Sequence, residues 1–408
     1  MRISTAQMNY NSMQGMRKHT EDLYAIQEKL SSGQRVSTPG DDPIAASRIY
    51  RIDKTIKQID QLTTNSNFAK TRLELEDASL TNFTDVVQRV RELGILGMSD
   101  TQNVSGRKAI ATEMRSLLEN LKSIANTQDS NGEFILSGDK SDQAPYQPVT
   151  ANNVESIGTG TTPASYFTKG DGATSVSFTK LDGTLLTKTP TATEIIDNFN
   201  GKTYTLNPTT QGYEDASGQP VFAYFGAHDG SRFVQIASDS DNMDNGNDSG
   251  DSSRVRISDQ GARTFGNYTK TSGTPYEPGY DAKKNPQLNY NIFDTVREMA
   301  NQLDTGTTGS PNIAGNSSKM DELMTELDTS LDAVSAVHSE VGMRLQRIDM
   351  QYDMNQSLQL GLNDNLAKLR DQDMVTGISD YQTTLNGLQM AQLTYSKLSD
   401  LSLFNYIK

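Results

Sequence analysis

The chain has 408 residues, 34% of them hydrophobic, a mean hydropathy of -0.61 and a formal net charge of -14. That balance suits an elongated or partly unfolded chain better than a compact enzyme, and its acidity argues against nucleic acid or an anionic membrane surface as partner. With no cysteine in the chain, disulfides, thiolate metal sites and a cysteine nucleophile are excluded.

The opening stretch MRISTAQMNYNSMQGM has no apolar core of the kind a secretory signal needs, so none is expected. No run of ~18 apolar residues occurs, so no membrane-spanning helix is expected either. Three zones differ in composition. Residues 1–130 are rich in helix formers, residues 139–290 hold nine of the twelve prolines, and residues 291–408 return to helix formers.

In chain order, Leu23, Ile26 and Leu30 stand three and four apart and predict one apolar helix face. Ser31-Ser32-Gly33 predicts a stop, and Ser37-Thr38-Pro39-Gly40 a turn. Asp42 followed by Pro43 predicts an N-cap with proline in the first helical position. A long helix follows, from Ile44 to about Met98, on the order of 80 Å at ~1.5 Å per residue. Its seam runs Ile49, Ile52, Ile56, Ile59, slips near Leu62, and resumes as Ala69, Leu73, Leu80, Phe83, Val87 and Val90, with Glu76 interrupting the apolar series. A third helix is expected from about Ser105 to Thr127.

The middle zone predicts β structure. Residues 174–178, 202–206 and 232–236 alternate polar and apolar side chains, and Asp182-Gly183 is a hairpin turn signal. The last zone returns to a helical seam through Leu327, Leu331, Val334, His338, Val341, Leu345, Ile348 and Tyr352. A final helix carries Ile378, Tyr381, Leu385, Leu388, Tyr395, Leu398 and Leu401. A narrow stripe on so long a helix needs partner helices, and the matching helix from the other end of the chain is the obvious one. The expected fold is therefore mainly α with a β insert: an elongated rod of long coiled-coil helices from both chain ends, with a central β-rich domain inserted at its tip. Residues 1–42 with 370–408 are expected to form a terminal helical assembly domain, 43–138 with 291–369 the rod, and 139–290 the insert. Apolar side chains on several faces of the two ends predict that these ends order against other copies.

Catalytic and metal chemistry find little footing. The three histidines, His19, His228 and His338, are scattered, and no HExxH pair or glycine-rich phosphate loop occurs. His228-Asp229-Gly230-Ser231 holds triad residue types, but a triad is assembled across a fold, and a turn is expected there. Residues 239–251 carry five Asp without the spacing of a calcium loop, so a solvated loop is expected. No catalytic residue, metal or cofactor is expected. The Asn82-Phe-Thr84 pattern lies on the predicted long helix and carries little weight.

The stretch EKLSSGQRVSTPGDDPIAASRIY, with Leu30, Ser31, Ser32, Gly33, Arg35, Asp41, Asp42 and Ala45, resembles the N-terminal signature of flagellins and their relatives. Pro39 and Pro43 in TPGDDP, the stretch from Asn131 to Gly138, the stretch from Asn291 to Val296 and the ending KLSDLSLFNYI are more similar to the hook–filament junction family, the hook-associated proteins 3. The resemblance covers roughly residues 1–146 and 288–408. It implies a flagellin-like fold and a structural adaptor, not an enzyme, joining hook to filament outside the cell after export without a cleaved signal. The implied partners are the first junction protein, flagellin, copies of the same chain in a ring and an export chaperone on the C-terminal helices. The implied assembly interface comprises Leu23, Ile26, Leu30, Leu385, Leu388, Tyr395, Leu398, Leu401, Phe404 and Ile407. Gly33, Arg35, Pro39, Asp41, Asp42 and Pro43 form the implied inter-domain connector. Two alternatives stay open: a flagellin-type filament subunit, and an extracellular adhesin or enzyme carried on flagellin-like ends. A metal or sugar bound to the insert, or a cluster of buried ionisable groups there, would favour the latter.

Overall fold

The computed structural model describes residues 5–99, 102–154, 167–170, 172–173, 175–179, 185–197, 202–226, 231–238, 253–266, 291–304 and 313–404. The long helices are α1 (Thr5–Ser32), α2 (Pro43–Met98), α3 (Val104–Ala125), α5 (Ile292–Asp304), α6 (Ile313–Arg370) and α7 (Met374–Phe404); α4 (Gly261–Phe265) is short. Strands fall only in the middle zone: β1 (Tyr146–Pro148), β2 (Phe167–Lys169), β3 (Val176–Thr179), β4 (Leu185–Lys188), β5 (Glu194–Asp197), β6 (Thr203–Leu206), β7 (Tyr213–Glu214), β8 (Phe222–Tyr224), β9 (Phe233–Gln235) and β10 (Arg254–Arg256). The expected mainly-α fold with a β insert is thus borne out. The predicted turn at Asp182-Gly183, the His228–Gly230 stretch and the Asp-rich residues 239–251 lie outside the described residues.

The chain divides into two compact units, residues 1–61 with 354–408, and residues 62–353. In the first, α1 lies against α7. Gly33 ends α1 in a left-handed conformation, φ 68°, which glycine adopts without strain. Residues 5–32 and 374–404 thus form paired helices within one copy.

In the second unit α2 and α6 run antiparallel. Lys70 pairs with Asp349, Asp77 with His338 and Arg91 with Asp328, so numbers fall along α6 as they rise along α2. The buried seam of α2 keeps three-four spacing from Leu62 through Ser66, Ala69, Leu73, Glu76, Leu80, Phe83, Val87 and Val90. Ser66 and Glu76 hold seam positions as polar residues. On α6 the buried seam is Leu327, Ser330, Val334, Val337, Val341, Arg344 and Ile348. Leu331, His338 and Leu345, expected on that seam, are only half-buried.

α3 starts at Asn103, whose side chain accepts the Gly106 amide at 2.7 Å, and α5 starts at Asn291, which accepts the Phe293 amide at 2.8 Å. An aromatic cluster joins helices to strands: Phe83, Phe265, Phe293 and Tyr146 meet at ring separations of 4.1 to 6.1 Å. The buried Tyr146 hydroxyl donates to the Gly261 carbonyl at 2.9 Å. The strands pair antiparallel, as β1 with β8, β9 with β10, β3 with β4, and the sheet β2-β5-β6-β7. A second, smaller core of Val149, Ile195, Tyr204, Tyr213, Val221 and Ala223 fills the insert.

Candidate functional site

The TPGDDP stretch is built around two carboxylates. Asp41 accepts the Thr38 amide at 2.8 Å and hydroxyl at 3.0 Å, and the Ser37 amide and hydroxyl at 3.2 Å each. These donors, the Thr38 amide foremost, hold its carboxyl below the usual range. Asp42 accepts the Ala45 amide at 3.0 Å and the Ile44 amide at 3.2 Å, which makes it the N-cap of α2 with Pro43 in the first turn. The Ala45 amide is the main cause of its lowered pKa, and Arg35, 3.5 Å away, adds to it. Pro39 and Gly40 form the exposed tip of the turn.

This connector does not stand alone. The Gln372 amide donates to the Gly33 carbonyl at 2.8 Å, and the Arg35 amide donates to the Arg370 carbonyl at 2.6 Å. The Arg35 guanidinium donates to the Leu369 carbonyl at 2.7 Å. The break between α6 and α7 is therefore a second connector, paired strand-like with the first. Asp373 caps α7 by accepting the Val375 amide at 2.9 Å and the Thr376 amide at 3.3 Å, and its carboxyl is also lowered, chiefly by the Thr376 amide. The sequence pattern does not point to this second connector. The available signal was Asp373 placed just before a helix-forming run.

Beyond the connectors, Leu23, Ile26 and Leu30 on α1 and Leu385, Leu388 and Tyr395 on α7 are half-buried. The two helices run antiparallel: Gly377 lies opposite Leu30 and Gly387 opposite His19. Large apolar side chains remain outside the pair, with Val375 80%, Tyr24 69%, Met390 66% and Leu393 58% exposed. Leu398, Leu401 and Phe404 lie on α7, but their side chains are outside the described residues, as is Ile407 altogether.

A second concentration of polar groups sits where residues 254–265 meet α2 and α6. Arg344 grips Asp259 with both guanidinium nitrogens, at 2.8 and 3.1 Å. Arg256 reaches Asp259 and Glu340 at 3.0 Å each, and Arg263 also reaches both. Burial opposes the charge on Asp259, but Arg256, Arg344 and Arg263 overcome it and hold its carboxyl far below the usual range. Glu76, fully buried beside it, is pushed well above its ordinary value by desolvation and then by the Asp259 charge. These are buried ionisable groups of the kind that would favour an enzyme. Yet the arginines and Asp259 are matched to one another across three elements, which is the arrangement of an internal tie. Arg72 makes a similar tie nearby, to Asp129 at 2.6 Å, Glu133 at 2.9 Å and the Ile257 carbonyl at 2.8 Å.

Residues 3–141 match the model of the bacterial flagellin N-terminal helical region. Flagellar hook-associated protein 3 of Salmonella typhimurium is 31% identical over 150 residues, which cover 37% of this chain and 47% of that protein. The protein of the same name from Escherichia coli is 33% identical over 146 residues, 36% of this chain and 46% of the relative. The chain spans about half the length of the curated relatives it matches. A crystal structure of flagellar hook-associated protein-3 from Legionella pneumophila superposes with a TM-score of 0.50 at 18% identity, over 79% of this chain and 98% of the other, a likeness of fold. The resemblance to flagellins and hook-associated proteins 3 is borne out by these matches.

Proposed function

We propose that this chain is a structural adaptor of the bacterial flagellum, seated outside the cell at the junction of hook and filament. Its neighbours are the first junction protein on the hook side, flagellin on the filament side, and copies of itself in a ring. It does no catalysis. It is exported through the flagellar type III route without a cleaved signal, and before export a chaperone covers the C-terminal helix, including Leu385, Leu388, Leu398 and Leu401.

The observation that carries this reading is the α1–α7 pair. Two long helices from opposite ends of the chain are clamped together at their connectors, yet leave Tyr24, Val375, Met390 and Leu393 in water. Such a surface is stabilised by burial against further helices. The half-buried Leu23, Ile26, Leu30, Leu385, Leu388 and Tyr395 set the pair's geometry, and Gly33, Arg35, Pro39, Asp41, Asp42 and Pro43 orient it. The names of the relatives support the same reading. The domain division consistent with it has residues 1–42 and 370–408 in assembly, 43–138 and 291–369 in the rod, and 139–290 as a variable β-rich insert.

Electron microscopy of the full-length protein, incubated in salt with short filament seeds, tests the proposal. A junction subunit stays monomeric alone and does not grow long tubes. Growth of long filaments by this chain alone would make it a filament subunit, the reading that the flagellin-type N-terminal region favours.

A further inference from the structure

Glu76 occupies a seam position on α2 and is fully buried, yet neither of its carboxylate oxygens accepts a hydrogen bond. Its neighbours explain why. Two guanidiniums lie near it, Arg344 from α6 and Arg256 from β10, and Arg263 from α4 joins them around Asp259. Arg344 donates to Asp259 through both terminal nitrogens, and a terminal nitrogen of Arg256 and of Arg263 donates to Glu340. The carboxylate beside Glu76 is that of Asp259, itself buried. Two ionised carboxylates in contact away from water repel and leave lone pairs without donors. One proton between them removes the repulsion and supplies the missing donor.

The other titratable groups around this point are accounted for. Arg72, one turn earlier on α2, is engaged by Asp129 and Glu133. The Tyr224 phenol, near Asp259, is pushed far up by burial and stays neutral. His338 on α6 pairs with Asp77, the residue after Glu76, at 2.9 Å, and is partly exposed.

We propose that Glu76 and Asp259 hold one proton between them, and that this shared proton fastens residues 254–265 to α2 and α6, so that rising pH releases the joint. In the released state Glu76 is ionised and reaches water. In the closed state it keeps its proton. The sign follows from proton linkage: the closed state binds one more proton, so it is favoured at low pH and weakened as pH rises through the pKa of the closed pair. While the closed pair keeps its proton, the opening constant of the joint rises about tenfold per pH unit.

Hydrogen exchange of the full-length chain between pH 5 and 9, corrected for the intrinsic pH dependence of exchange, reads this directly. The amides of residues 254–265 are expected to open up to tenfold more for each pH unit, while those of residues 110–125 in α3 do not. Glu76→Gln is expected to flatten the dependence, because a glutamine has no proton to lose. His338→Gln is expected to keep it. A pH-independent opening in the wild-type chain overturns the proposal, as does a slope that survives Glu76→Gln or vanishes with His338→Gln. If Glu76→Gln fails to fold, the wild-type and His338→Gln slopes still decide.

Discussion

The backbone amide of Gln372 donates to the carbonyl of Gly33 at 2.8 Å, and this bond brings together two breaks that lie more than three hundred residues apart in the chain. Each break ends one helix and starts another. Because they are hydrogen-bonded, the directions in which α1 and α7 leave are set together. A change in one connector should therefore be felt in the helix that follows the other.

Gly33→Val tests that coupling. At φ 68° a β-branched residue is strained by roughly 1–2 kcal/mol. The strain is expected to disturb the Gly33 carbonyl and so loosen α7 as well as α1. Hydrogen exchange should show lost protection at residues 374–397, well away in sequence from the substitution. If protection falls only within α1, the connectors are not coupled. Pro43→Leu should act more mildly, since Asp42 still caps α2.

The caps carry a pH signature. Asp42 and Asp373 have carboxyls held below the ordinary range by backbone amides, those of Ala45 and Thr376 first. A lowered folded-state pKa means stabilisation that is full above the unfolded value of about 4 and is lost as pH falls through the folded value. Acidification from pH 5 toward 2 should fray the first turns of α2 and α7. Asp42→Asn and Asp373→Asn should show a smaller change over that window. Circular dichroism and amide exchange at residues 44–46 and 375–377 measure it. Equal acid sensitivity in the Asn variants would show that other carboxylates dominate.

Helix contact between the ends depends on Gly377. A Cβ there would lie 2.7 Å from a methyl carbon of Leu30 and 3.1 Å from the side-chain Nε2 of Gln372. Gly377→Val should loosen the α1–α7 pair, seen as faster limited proteolysis of both ends. Leu30→Ala removes the methyl group and should restore protection in the double variant beyond the additive expectation. Additive behaviour of the two substitutions would mean that Leu30 is not the obstacle.

Much of this architecture was legible because helices announce themselves by period. The long helix expected from Ile44 to about Met98 is α2, Pro43–Met98, and the three alternating stretches of the middle zone hold strands β3, β6 and β9. The buried seam of α6 lies half a step from the one that its spacing predicts. Three- and four-residue steps lie almost equally close on a helix, and the partner decides between them. Arg344 rather than Leu345 is buried because Asp259 meets it there, and no periodicity reveals a counter-ion 85 residues away in sequence. The second connector escaped notice because Asp371-Gln372-Asp373 contains neither glycine nor proline. The charge cluster escaped for a simpler reason: positions 76, 256, 259, 263, 340 and 344 converge only in the fold.

That cluster predicts an ordering of variants. Arg344→Leu removes both bonds to Asp259 but leaves Arg256 at 3.0 Å and Arg263 at 3.8 Å. Uncoupling a buried pair costs about 3–5 kcal/mol when nothing replaces the lost partner, so Arg344→Leu should fall below that range. Asp259→Asn is the more damaging change near pH 5, since it removes the carboxylate that Arg256, Arg263 and Arg344 share while Glu76 keeps its proton. Removing the Asp259 charge also removes one cause of the raised Glu76 pKa. Glu76 then ionises at lower pH and takes over as counter-ion. Urea unfolding of the full-length chain should therefore show Asp259→Asn recovering relative to wild type as pH rises from 5 to 8. A deficit that stays constant over that range would mean Glu76 cannot replace Asp259, and that the two carboxyls are not exchanging a shared role.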